Sequence, residues 1–457
     1  MPLGQQLDEL LREQSACPGV VVGISFAGDR LVRGVGTAHI GTGQEMTAET
    51  AFQIGSVTKM LTTSLLLRQV ERGAVSLDDR VVDLLPDFRL RDDGAGQITV
   101  AMLLNHTNGI DADSYFPGRV TGSDAVASYV ADLRDRDTLF PPGSGASYSN
   151  PGFVVVGRVL ETLGKEPFST VVERDLFDPL GMQGAVTSAD RAVLGRVAVG
   201  SFRNADGSWR LPPKFNLPPA AGPAGTTPIM TAADALAFAE MHLQGGAGYL
   251  DDDSVTAMRT ATHGFGSPGM PTVGLGWMLH RRRDVDIVFH AGGSPGGTSQ
   301  LVLVPEHELA IVAYGNSREA PLVFDRINRL VLDELHPGAD DPRSDPGDPP
   351  DLAPLAGTYR AGDLVHHVRL GEEPNELLLE SEFVAFDPDH AQTQREFFGS
   401  EAPPPQRLGH VGGGAFARTG LFDVDPDGLF ARFAQVSFHG EGVPTHLHMN
   451  TRRSNRV

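Results

Sequence analysis

Phe52-Gln53-Ile54-Gly55-Ser56-Val57-Thr58-Lys59 is the stretch on which the reading of this chain turns. Beyond it, Met60, Leu61, Leu65, Leu66, Leu67 and Val70 keep a helical stripe and Gly73 stands where a C-cap would, so a helix is predicted over Val57–Arg72. At the start of such a helix, residues i and i+3 share a face, which brings the Lys59 amine against the Ser56 hydroxyl. A serine hydroxyl is a weak nucleophile until a neighbouring base takes its proton, and a lysine can be that base. A helix N-terminus also offers backbone N–H groups to a developing oxyanion. The chain holds only three lysines, Lys59, Lys165 and Lys214, which makes this spacing an uncommon coincidence.

Two further elements carry usable chemistry. Pro141-Pro142-Gly143 leads into Ser147-Tyr148-Ser149-Asn150-Pro151-Gly152, where a turn can present a phenol oxygen and a side-chain amide to one point. His290-Ala291-Gly292-Gly293 follows a predicted strand, Val285–Phe289. Its glycines permit close backbone approach to a ligand, and its histidine is expected to donate into the cleft.

Around these elements the chain divides readily. A helix at the N-terminus, then a hairpin of Val20–Phe26 and Leu31–Gly36, opens the sequence. Helical and irregular segments follow to about residue 262. Strand-like runs return at Val273–Leu279, Val285–Phe289, Ser299–Val304 and Leu309–Tyr314, before a helix over Ala320–Leu335. Strands at both ends with helices between predict an α+β domain whose single sheet draws on distant parts of the chain. The expected boundaries are 1–335 for this domain, 336–351 for an Asp/Pro-rich linker, and 352–457 for a small all-β, barrel-like domain.

The three motifs, in this order and at these separations, resemble the serine β-lactamase and penicillin-binding protein superfamily, in its class C-like esterase, D-aminopeptidase and D,D-carboxypeptidase branch. Leu103-Leu104-Asn105-His106-Thr107-Asn108-Gly109, Pro179-Leu180-Gly181-Met182 and Gly274-Leu275-Gly276-Trp277 strengthen the likeness. The resemblance implies an antiparallel sheet with an all-helical subdomain. It also implies that Ser56 is acylated, that Lys59 accepts its proton, and that Tyr148 relays protons to a second acceptor. Asn150, His290 and Gly292 would orient substrate, with the backbone N–H groups of Ser56 and Gly293 as the oxyanion hole. His290 stands where many members have the lysine of a Lys-Thr-Gly motif. An imidazole mostly neutral near pH 7 there is a poor anchor for a carboxylate, so weak β-lactam hydrolysis is expected. Similar chains with a lipocalin-like C-terminal domain occur among D-aminopeptidase-like hydrolases and stand-alone penicillin-binding-protein-type thioesterases that release or cyclise peptides. The expected activity is therefore a serine hydrolase or acyltransferase acting on a peptidyl amide, ester or thioester. A carboxylesterase and a catalytically silent binding protein are the alternatives.

Composition narrows the partners. With 37 basic against 58 acidic residues the net charge is −21, a field that repels phosphate backbones, so nucleic acid is not expected. No run reaches the ~18 apolar residues of a membrane span. The single cysteine, Cys17, forms no intramolecular disulfide. With no basic n-region or apolar h-region near Met1, a cytoplasmic location is expected, provided that no leader has been trimmed. The expected substrate is a small molecule or a peptidyl group, free or carrier-bound. No cofactor or metal is predicted. Asp423-Val424-Asp425-Pro426-Asp427-Gly428 imitates an EF-hand start but has Ala434 where a glutamate is required. His366-His367 and His446-Leu447-His448 lack further ligands at a readable spacing.

Overall fold

The computed structural model describes residues 3–111, 121–266, 270–282, 285–335, 347–399, 405–419, 428–429 and 434–457. The aspartates of the EF-hand-like run and most of the expected linker lie outside these residues.

A nine-stranded antiparallel sheet forms the centre. From one edge its strands are Gln44–Glu45, Asp29–His39, Gly19–Phe26, Leu309–Gly315, Gly297–Val304, Val285–Ser294, Met278–Arg282, Thr272–Val273 and His263–Gly264. The N-terminal hairpin thus pairs with the late strands, Val20 opposite Gly315 and Phe26 opposite Leu309. Side chains alternate between two cores, as period-two geometry requires. Val21, Leu301, Leu303, Ala310 and Val312 face the helical body. Val20, Val22, Ile24, Val302, Val304 and Ile311 face the other way, onto Leu7 and Leu11 of the helix Leu3–Glu13 and Phe324, Ile327 and Val331 of the helix Pro321–Leu335. Both faces are covered, which is why these strands read as continuous apolar runs rather than alternating ones.

The helix Thr58–Glu71 runs through the helical body with every side chain from Thr58 to Leu67 buried, and Gly73, at φ +69°, follows its end. Helix Asn150–Gly164 begins at Ser149, whose side chain accepts from Gly152 N–H at 3.2 Å, with Pro151 in its first turn.

Two sequence expectations need correction. The run Val273–Leu279 is not one strand: Gly274–Trp277 bridges the strands Thr272–Val273 and Met278–Arg282, turned by Gly274 N–H donating to the carbonyl of Trp277 at 2.9 Å, and a Cβ on Gly274 would lie 2.2 Å from the carbonyl oxygen of Met258. The strand expected to end at Phe289 continues to Ser294, so His290-Ala291-Gly292-Gly293 lies within the sheet instead of in a turn after it. Its pairing runs from Val288 opposite Leu303 to Ser294 opposite Gly297.

Beyond the sheet, eight antiparallel strands close a barrel in simple sequential order, from Gly357–Ala361 round to Arg452–Arg456, sealed where Tyr359 meets Arg456. Tyr359, Leu377, Leu379, Leu408, Phe416, Val436 and Leu447 fill its interior. The expected β-barrel unit is thus present, and it carries one inserted helix that the sequence reading did not anticipate, Pro388–Phe398, its first turn capped by Asp387 accepting from His390 N–H at 2.8 Å.

Candidate active site

Ser56 sits in a single 3₁₀ turn, Gly55–Val57, one residue ahead of the helix that carries Lys59. The turn is wedged between two backbones. A Cβ on Gly55, which holds φ +53°, would lie 2.5 Å from Gly293 N, and one on Gly225 would lie 2.3 Å from Gly55 O and 2.8 Å from Ser56 N. Only glycine fits either position. Ser299 Oγ donates to the carbonyl of Ile54 at 2.7 Å and fixes the approach to the turn from the sheet.

Lys59 is wholly buried, and its Nζ lies 3.1 Å from Ser56 Oγ, 2.7 Å from Asn150 Oδ1 and 2.8 Å from the carbonyl of Ala224. The amide and carbonyl oxygens can only accept, so each takes an N–H, and a remaining position on nitrogen is turned to Ser56. In the ammonium that position is a third N–H; in the free amine it is the lone pair that a proton acceptor needs. Nζ also lies 4.8 Å from the centre of the Tyr148 ring. The sequence-predicted Ser56, Lys59, Tyr148 and Asn150 are thus brought together, and Gly292 and Gly293 reach the same place along the strand Val285–Ser294.

His290 is buried 6.0 Å from Tyr148, ring centre to ring centre. Its Nδ1 lies 2.7 Å from the carbonyl of Ala291. A carbonyl accepts only, so Nδ1 carries the proton and Nε2 presents a lone pair, which reverses the donor role expected from sequence. Burial first, and then the Lys59 charge, pushes the imidazole down to about 3. The third motif is therefore uncharged across the physiological range.

Three features went unread in the sequence. His106, at φ +62° and wholly buried, clamps the peptide on both sides of Tyr148: its carbonyl accepts from Ser147 N–H and its Nδ1 from Ser149 N–H, each at 3.0 Å. Its ring stacks on the phenol at 4.6 Å. Burial, followed by the charges of Lys59, His290 and Arg452, holds His106 well below the ordinary range. The second feature is the barrel's last hairpin. Tyr148 N–H donates to the carbonyl of Thr451 at 2.9 Å, Arg453 N–H to Ser147 Oγ at 3.1 Å, and Asn455 Nδ2 to the carbonyl of Leu139 at 2.7 Å. The Arg452 guanidinium lies 4.6 Å from the centre of the Tyr148 ring. Third, the barrel's helix approaches the opposite flank: Phe397 Cζ lies 3.3 Å from where a Gly293 Cβ would be, and its carbonyl accepts from Arg318 at 2.6 Å. Asn450-Thr451 between two short strands was the available signal for the hairpin, but nothing in the spacing tells where a hairpin docks.

A profile of the family described as Beta-lactamase matches residues 7–335. The chain belongs to the Beta-lactamase family. Penicillin-binding protein 4 of Amycolatopsis lactamdurans is 33% identical over 373 residues, covering 78% of this chain and 96% of that one. Esterase EstB of Burkholderia gladioli is 30% identical over 307 residues, 59% of this chain and 76% of its own. Among solved structures, that of SurE aligns with TM-score 0.73 at 27% identity, over 100% of this chain and 98% of the other, so the likeness takes in the barrel. Relatives of Beta-lactamase type are serine hydrolases, and this chain is an enzyme of that kind. Among the described residues, no helix is long and apolar enough to cross a membrane.

Proposed function

We propose that the protein is a serine acyl-enzyme catalyst that transfers a peptidyl acyl group from an amide, ester or thioester to water or an amine. The observation that carries this reading is the placement of Lys59 Nζ, held by two fixed acceptors with its remaining position on Ser56 Oγ. Ser56 Oγ attacks the acyl carbonyl while its proton passes to Lys59. The carbonyl oxygen, now an alkoxide, is met by the N–H groups of Ser56 and Gly293. Tyr148 carries a proton to the leaving group and later takes one from the attacking water or amine.

The peptidyl preference is supported by SurE, which has also been solved with D-Leu. Barrel elements on both flanks of the site leave the approach to Ser56 bounded by two domains, which suits a long acyl donor. The carboxylesterase reading is favoured by the EstB likeness, which covers 59% of this chain.

Exposure to a fluorophosphonate or an activated aryl ester, followed by intact mass and peptide mapping, tests the assignment. One adduct on Ser56 is expected. An adduct that persists in Ser56→Ala would remove Ser56 as nucleophile.

A further inference from the structure

The third motif of this chain carries no charge, yet a cation stands against Tyr148 all the same. Arg452 follows the two-residue turn Asn450-Thr451, in which both residues have positive φ, +50° and +65°, the geometry of a tight hairpin. Its neighbours on both sides are bonded to the tyrosine loop, Thr451 O to Tyr148 N–H and Arg453 N–H to Ser147 Oγ. Arg452 is thereby held in a fixed place over the phenol ring instead of sweeping the surface as a long side chain does.

Among the described residues, four titratable or charged groups stand against that ring: Lys59 from the helix Thr58–Glu71, His106 from the segment after Leu104, His290 from the sheet, and Arg452 from the barrel. Both imidazoles are neutral. The positive charge facing Tyr148 therefore comes from Lys59 and Arg452. Lys59 is neutral before it takes the serine proton and charged afterwards, so among these groups Arg452 alone offers a field that is constant through the reaction. Arg452 is half-buried, so solvent partly screens its field, but a guanidinium 4.6 Å from the centre of the phenol ring still favours the ionised oxygen over the neutral one.

We propose that Arg452 is a positioning residue of the active site: it supplies from the C-terminal barrel the positive charge that the sheet motif lacks, and thereby stabilises the phenolate form of Tyr148. This rests on the reading of Tyr148 as a proton carrier.

The test compares pH profiles of Ser56 acylation by an aryl ester for wild type, Arg452→Lys, Arg452→Gln and the double variant Arg452→Gln/His290→Lys. Arg452→Gln is expected to acylate about tenfold more slowly at pH 7, with the acidic limb of the profile moved up by about one unit and the curves converging at high pH. Arg452→Lys falls between, and the double variant, with the cation returned to the sheet, recovers toward wild type. Should Arg452→Gln prove unfolded by circular dichroism, Arg452→Met, which keeps the apolar stem over the ring, takes its place. A loss of the same factor at every pH, or no loss, overturns the proposal. A second measurement needs no turnover: the tyrosinate absorbance of each form, less that of the same form carrying Tyr148→Phe, follows Tyr148 alone. Unmoved by Arg452→Gln, it overturns the proposal even if the acyl-enzyme reading stands; moved upward, it upholds the proposal even if that reading falls.

Discussion

Tyr148 N–H donates to the carbonyl of Thr451 at 2.9 Å, and through that bond a loop of the sheet-and-helix domain is held by a hairpin of the barrel. Every residue with an expected chemical role precedes residue 336, which taken alone implies that a chain ending at Leu335 would still acylate with a small ester. The hydrogen bonds from Thr451, Arg453 and Asn455 imply the opposite. Such a truncation, if folded by circular dichroism, should lose at least about tenfold on a small aryl ester as well as on a peptidyl thioester. Unchanged turnover of the small ester would show that Tyr148 holds its place without the barrel.

Lys59→Ala and Tyr148→Phe should each lower turnover by at least ~100-fold, the scale of a general acid or base. Steady-state rates on an activated ester, with thermal melting to confirm folding, read this directly. A variant that keeps more than about a tenth of the wild-type rate is not a proton carrier.

Penicillins and cephalosporins should be poor substrates beside an aryl ester or thioester, because His290 is neutral and turns a lone pair, not a charge, toward the site. His290→Lys should raise β-lactam acylation relative to ester turnover. An unchanged ratio would mean that a carboxylate is bound by another group, with Arg452 the first to examine.

Acid should loosen the fold through its buried histidines. His448 is pushed down to about 3, by burial first and then by His439 and His446, while His242 is pushed down to about 3 by burial and Arg259. Each titrates near its ordinary 6.5 when unfolded, so below that pH the unfolded chain binds protons that the native chain refuses. The stability from these neutral imidazoles is complete above about pH 6.5 and is lost progressively as pH falls from there toward 3. His448 also reports on the barrel, since its Nε2 donates to the carbonyl of Ala146 at 3.1 Å. Melting temperatures from pH 7.5 to 4.5 should fall steeply in the lower part of that range; a flat curve contradicts the buried neutral state.

Gly225→Ala should cut activity far more than Gly96→Ala. The first places a methyl 2.3 Å from Gly55 O at φ +129°, displacing the nucleophile's turn, while the second meets nothing within 4 Å. Equal rates would show that the turn tolerates displacement.

How much of this was legible in the sequence differs by element. Ser56 and Lys59 were readable because i, i+3 spacing is a local property of one helix. Tyr148, Asn150 and His290 were readable only as members of an ordered set, since a turn tyrosine or a strand-end histidine is ordinarily structural. The strands at Val20–Phe26 and Leu309–Tyr314 stood out because both their faces are buried. What stayed hidden depends on docking. Arg452 looks like any arginine after a hairpin turn until the barrel is set against Tyr148. The tautomer of His290 depends on where the carbonyl of Ala291 points, and His106 becomes a clamp only because it adopts φ +62°. The helix Pro388–Phe398, with mixed polar and apolar residues between strand-like runs, offered no apolar stripe long enough to announce itself.

The closure of the barrel sets an order of events in biosynthesis. Tyr148 leaves the ribosome roughly 300 residues before Thr451, an interval of roughly 15 to 60 seconds at ordinary elongation rates. During that time the nascent chain already contains Ser56 and Lys59, three residues apart, but the hairpin that grips the tyrosine loop does not yet exist. If the truncated chain loses activity as expected, catalytic competence waits for that hairpin.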